Sequence, residues 1–208
     1  ANLLVVEISE GTHIGRGESV PYAHYGETMD DVCAEVASCK KVIEEGISRD
    51  TVSRLLDPGA GRNALDAALW DLEAKLTGEP IWKLAALPKP TPVITAQTIS
   101  IGDEKGMAAQ ARSLSSAPLI KVKLDTKHVV SRMRAVRESA PGSRLIADAN
   151  EAWDLGLLAE VAPVLAELGV EMIEQPLPAD MDSALASYKS PVPLCADEAC
   201  HTLKDLTK

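Results

Sequence analysis

The apolar positions change their period partway along the chain. Leu3-Leu4-Val5-Val6-Glu7-Ile8 is an apolar run, Glu10-Gly11 is a turn signal, and Thr12 to Gly17 returns, so the opening reads as a hairpin. A loop rich in Pro, Tyr and Gly follows from Glu18 to Glu27. A helix is expected from about Thr28, with Thr28 as N-cap and Asp30 and Asp31 favoured by the dipole of its first turn. Val32, Val36, Cys39 and Ile43 recur at three- and four-residue steps and make one apolar stripe. A second helix is expected from Arg62 to Leu76, with Ala64, Leu65, Ala68, Leu69, Leu72 and Leu76 on one face and Gly78 and Pro80 as its stop. Hairpin then helices is an α+β pattern, assigned to residues 1–88.

From Pro92 short apolar strands alternate with amphipathic helices. Strands are expected at Val93–Thr98, Leu119–Lys123, Leu145–Asp148, Glu171–Glu174 and Pro193–Asp197. Helices fit between them, at about Glu104–Ser115, Lys127–Ser139, Asp154–Leu168 and Met181–Tyr188. Pro163 inside the third should kink or split it. The stretch Pro88-Lys89-Pro90-Thr91-Pro92 marks a boundary, so residues 89–208 form a second domain of five βα units. No Gly-x-Gly-x-x-Gly turn is present, and charged residues recur on consecutive strands instead of beside one switch point. Both points favour an α/β (TIM-type) barrel over a doubly wound sheet. Eight units need about 200 residues, so the barrel is expected to be incomplete and the chain, which starts at Ala1 without a methionine, a fragment of a longer protein.

The composition narrows the partners. The apolar share of the 208 residues is 46%, but aromatics are only 3% and Phe is absent, so the core must be aliphatic. A formal charge of −10 argues against nucleic acid or an anionic membrane surface as the main partner. No stretch reaches the ~20 apolar residues of a membrane span, and no secretion signal opens the chain. Cys33, Cys39, Cys195 and Cys200 lack Cys-x-x-Cys spacing and read as free thiols of a cytoplasmic protein.

The candidate chemistry lies at the strand ends. Lys123, Asp148, Glu174 and Asp197 follow one another at steps of 25, 26 and 23 residues, the length of one βα unit. Residues at that period reach one rim of a barrel. Lys121 and Lys123, two apart on a strand, share a face, while Ile120, Val122 and Leu124 take the other. Taken singly, each acid reads equally as a turn or cap residue and the lysines as an exposed edge. Taken together, three carboxylates repel one another unless a cation joins them, and hard oxygen ligands suit Mg²⁺. A neighbouring ammonium and a divalent cation both lower a lysine's pKa toward the range of a general base. Such a base, beside a cation that steadies enediolate charge, abstracts a proton α to a carboxylate.

Lys121-Val122-Lys123, Asp148-Ala149-Asn150, Glu174-Gln175-Pro176 and Ala196-Asp197-Glu198 resemble the muconate-lactonizing branch of the enolase superfamily. The resemblance implies a capping α+β domain, Mg²⁺ on Asp148, Glu174 and Asp197, Lys123 as acid/base, and Lys121 assisting near the substrate carboxylate. A narrower set resembles bacterial dipeptide epimerases: Pro21-Tyr22, Tyr25-Gly26-Glu27, Ala64 to Leu72, Ile94 to Thr98, Lys123-Leu124-Asp125 and Ala196 to Thr202. It implies epimerisation of a small dipeptide of the L-Ala-D/L-Glu type from cell-wall peptide turnover, with Thr98, Lys121 and Tyr25 as substrate contacts and Tyr22–Glu27 as a closing loop. The family's second base, a lysine on a later strand, and its aspartate pair for the amino group are expected beyond Lys208, and Lys208 itself is a poor substitute. Cycloisomerisation or o-succinylbenzoate synthesis on the same scaffold, or a non-catalytic truncated fragment, are the alternatives; a homo-oligomer is compatible with all of them. Asn150 reads as support for the metal shell or a turn residue, Glu198 as a supporting acid, His24 as a loop residue and His201 as structural.

Overall fold

The computed structural model describes residues 2–207; Ala1 and Lys208, on which the expectations about the chain ends fall, lie outside them. The chain divides into two compact units, one up to Thr91 and one from Pro92.

In the first unit, β1 (Leu4–Glu10) and β2 (His13–Ser19) pair antiparallel from Leu4↔Ser19 to Glu10↔His13. The two-residue connection needs positive φ, and Gly11 supplies it at 59°. Thr28 caps α1 (Met29–Ser38) by accepting the Asp31 N–H. The helix breaks at Cys39, where α1 gives way to α2 (Lys40–Glu44), but the expected stripe runs on across the break, with Val36, Cys39 and Ile43 on one core. Two helices carried no sequence signal: α3 (Arg49–Leu55) and, after the long α4 (Ala60–Thr77), the short α5 (Ile81–Leu84). Gly78 ends α4 in the left-handed region, as its position implied. The same helix lies directly on β2. A Cβ on Gly15 would stand 2.2 Å from the Ala68 carbonyl, and one on Gly17 2.0 Å from that of Ala64, so both glycines are needed for this contact. Val6, Val52, Ala64, Leu65 and Ala68 fill the core between them.

The second unit is a parallel sheet in the order β3-β4-β5-β6-β7, with no reversal. Its strands are β3 (Gln97–Ile99), β4 (Leu119–Lys123), β5 (Arg144–Asp148), β6 (Val170–Glu174) and β7 (Leu194–Cys195). The outer two are shorter than expected, because each has a ladder on one side only among the described residues. Between them run α6 (Glu104–Ser113), α7 (Val129–Ser139) and α8 (Leu155–Glu167). Pro163 does not split α8: Leu158, Val161, Ala162 and Leu165 are buried on one face. Burying such side chains is worth about 1.5–3 kcal/mol for each Leu or Val, more in sum than the ~3 kcal/mol a helical proline costs. The helix expected at Met181–Tyr188 is instead a 3₁₀ segment, Ala179–Ser187, held at its start by the Glu151 carboxylate on the Ala179 N–H (2.7 Å). All four cysteines are free. No helix among the described residues is long and apolar enough to cross a membrane.

Candidate active site

The period-two reading of β4 holds. Ile120, Val122 and Leu124 are 0–1% exposed and join Met107, Met133 and Leu165 in the helix-side core. Lys121 and Lys123 take the opposite face. The parallel register then assembles two rows across that face. One runs Thr98, Lys121, Ile146, Met172; the other Lys123, Asp148, Glu174, Cys195.

The charged side chains close on one another. Asp148, fully buried, receives Lys121 Nζ at 2.9 Å and Lys123 Nζ at 3.1 Å on the same Oδ2. Lys121 also donates to Glu174 Oε1 at 2.8 Å, and Lys123 to Asn150 Oδ1 at 2.5 Å. A carboxylate taken wholly out of water is tolerable only with such partners. Burial pushes the Glu174 carboxyl up; Lys121 pulls it back, but the nearby charges of Asp148 and Asp197 leave it raised. Burial would lower the Lys121 ammonium, but its hydrogen bonds to Glu174 and Asp148 outweigh that and leave it raised. The lowering expected for the lysines depends on a divalent cation beside them. Without a divalent cation, the ammonium itself is the counter-ion of the acids, and a bound metal would invert that logic.

Loops beyond the strands continue the ladder and brace the site. Leu124 N–H donates to the Asp148 carbonyl, Ala149 to Glu174, Glu151 to Gln175 and Trp153 to Pro176, at 2.9–3.1 Å. Trp153 is 1% exposed and its Nε1–H reaches the Asp125 carbonyl at 3.0 Å. Asn150, Glu151 and Gln175 hold positive φ (42°, 65° and 33°), a conformation costing non-glycine residues about 1–3 kcal/mol each and concentrated at functional sites. Asn150 passes the contact on, from Nδ2 to Glu198 Oε1 at 3.1 Å. The other carboxylate oxygen of Glu198 is buried with no partner.

The structure thus brings Lys121, Lys123, Asp148 and Glu174 together and sets Thr98 beside Lys121. Asp197 is the exception. It lies past the end of β7, is exposed, and joins the others electrostatically through Glu174 instead of by contact. Among the described residues no three acids, histidines or cysteines converge as a ready metal cage. Asp148 and Glu174 share the Lys121 ammonium, and the charge of Asp197 also acts on Glu174. The donor set fits Mg²⁺: hard oxygens only, with Asp148 and Glu174 already sharing one cation, the Lys121 ammonium. Tyr25 belongs to the first unit, where it packs edge-on to Tyr22 and His24 with centroids 5.6 and 5.0 Å away. Sequence reasoning passed over Gln175, 1% exposed, whose signal lies only in long-range hydrogen bonds.

Comparison with known proteins bears on this arrangement. Residues 1–85 match the mandelate racemase/muconate lactonizing enzyme N-terminal domain, and residues 106–208 the enolase C-terminal-domain-like family. An L-Ala-D/L-Glu epimerase from Escherichia coli K12 is 45% identical over 99% of this chain, and an N-acetyl-D-glutamate racemase from a Pseudoalteromonas species 40% identical over 98%. The chain spans 65% of the length of each. A solved enolase-family protein from Agrobacterium tumefaciens, described as homologous to dipeptide epimerases and holding sodium and L-Ala-L-Glu, superposes with a TM-score of 0.93 at 40% identity, over 98% of this chain and 63% of that one.

Proposed function

This chain belongs to the mandelate racemase/muconate lactonizing branch of the enolase superfamily, and from that premise we propose that the protein inverts the α-carbon of an N-acylated glutamate, foremost L-Ala-D/L-Glu, by α-proton abstraction with Mg²⁺. Residues 1–88 are the capping domain and residues 89–208 the first five βα units of a barrel wall; the consecutive strand order supports this.

The observation that carries the reading is one face of β4: two ammonium groups, both on the Asp148 carboxylate, at the C-terminal ends of the strands. Asp148, Glu174 and Asp197 would hold the metal, which supplies the charge that offsets the developing enediolate. Lys123 takes the α-proton from one epimer and, in the reverse direction, delivers a proton to that same face, while the second base serves the opposite face. Asn150 and Asp148 hold the Lys123 Nζ in place. Lys121 keeps the substrate carboxylate near the metal site, with Thr98 beside it in register. The second base and the contacts to the dipeptide amino group are assigned to chain beyond these residues. Cell-wall dipeptides handled in the cytoplasm are the source this reading names.

A second reading, racemisation of N-acetylglutamate, is favoured by the relative with that name. Both substrates carry a free α-carboxylate and an acylated nitrogen, so the two readings share every step above except the contacts to the dipeptide amino group, which N-acetylglutamate lacks. Proton NMR in D₂O decides between them. With Mg²⁺, the full-length protein is expected to wash out the Glu α-proton of L-Ala-L-Glu faster than that of N-acetyl-D-glutamate, and chelation is expected to stop it. Faster exchange from N-acetylglutamate selects the second reading; exchange from neither overturns both.

A further inference from the structure

We infer that Gln175 is the residue that positions Asp197, and with it the β7 end of the site; the inference rests on the functional reading only in taking Asp197 as a metal ligand. The β6–β7 ladder is very short. Its pairs end at Glu174↔Cys195, two residues before Asp197. What carries the chain onward is Gln175. Its N–H donates to the Cys195 carbonyl at 2.8 Å. Its Oε1 accepts the Asp197 N–H at 2.9 Å and the Ala199 N–H at 3.0 Å. Its Nε2 donates to the Leu177 carbonyl at 2.8 Å and to Asp182 Oδ1 at 3.2 Å. Its own carbonyl accepts the Glu151 N–H at 2.9 Å.

The side-chain amide of this one buried residue therefore ties the loops after β6 and β7, and its main-chain carbonyl adds the loop after β5. The amide uses two acceptor and two donor positions, its full capacity. Glutamate would keep the acceptors for the 197–199 loop but lose both donors and face Asp182. Methionine, of similar length, would keep neither. Gln175 holds this place with a positive φ of 33°, a conformation that costs a non-glycine residue about 1–3 kcal/mol.

The test has two arms on the full-length protein. In the first, amide hydrogen exchange is followed without metal. Gln175→Met is expected to speed exchange at Asp197 and Ala199 at least tenfold while β5 stays protected, and Gln175→Glu to restore protection at those two amides. Unchanged exchange at Asp197 and Ala199, or equal acceleration throughout the sheet, overturns the positioning role. In the second arm, Mn²⁺ affinity is measured by electron paramagnetic resonance. Removing a residue that orients a ligand costs about 10–100-fold in affinity. Gln175→Met is expected to fall in that range, and to cost less than threefold when added to Asp197→Asn. Fully additive losses overturn the inference. If Asp197→Asn leaves Mn²⁺ affinity unchanged, it is the functional reading that fails, and the exchange arm still decides what Gln175 does.

Discussion

The two faces of the parallel sheet are built from alternate residues of the same strands, yet they obey opposite rules. On the helix side, Ile120, Val122, Leu145, Ala147 and Ile173 are fully buried, and all that is asked of them is volume and apolarity. On the other side, Lys121, Lys123, Asp148 and Glu174 keep paired charges against burial, and an apolar replacement would leave a partner unpaired. The comparison teaches that the first face sets where the second one's atoms stand. Stability and chemistry are separated by one residue along a strand, so single substitutions can tell them apart.

The widest separation is expected from Lys123→Ala. General acid–base groups contribute about 10²–10⁴-fold, so α-proton exchange from one epimer of L-Ala-Glu should fall by that much. The melting temperature should move little, because Asp148 keeps Lys121. Thermal denaturation and NMR exchange on the same sample check both halves. Equal residual exchange from both epimers would remove Lys123 from its role.

Ile120→Ala, the neighbouring side chain, is expected to do the reverse. A cavity at a fully buried isoleucine costs about 2–5 kcal/mol. Denaturant titration should read that loss, with exchange per folded molecule unchanged. Loss of activity without loss of stability would break the separation of the two faces.

Trp153→Phe tests the brace between them. It deletes the Nε1–H bond to the Asp125 carbonyl and is expected to cost about 1–3 kcal/mol in the same titration. The smallest effect belongs to the Asp125 carboxylate. Burial raises its pKa, but the Lys127 N–H and then the Arg132 guanidinium, at 2.6 Å, bring it below the ordinary 3.8. A depressed folded-state pKa stabilises above the unfolded value and ceases to as pH falls through the folded one. The stability difference between the unmodified protein and Asp125→Asn should therefore be constant from neutral pH down to that range and shrink below it. A difference that grows on acidification would contradict the assignment.

Particular residues show why part of this was legible in the sequence. Alternation of Lys121 and Lys123 with Ile120, Val122 and Leu124 is local, and a pleated strand has only one way to express it. The recurrence of acids at one-unit steps needs only the regular length of a βα unit. Asp197 lies past the two-residue β7, and its N–H is bonded to a side chain 22 residues earlier, a contact that no local pattern signals. The helix break at Cys39 has no local breaker, since the apolar stripe runs on across it, and the 3₁₀ turns at Ala179–Ser187 depend on Glu151 from the loop after β5.

The account stands on a cation shared by the acids of the charged face, and Mg²⁺ titration of the melting temperature tests it most directly. A ligand that binds only the folded state at 100 times its Kd adds about 2.7 kcal/mol, so the unmodified full-length protein should show a saturable rise. Asp148→Asn and Glu174→Gln should each abolish it. A rise that survives either substitution, or no rise in the unmodified protein, would contradict the account.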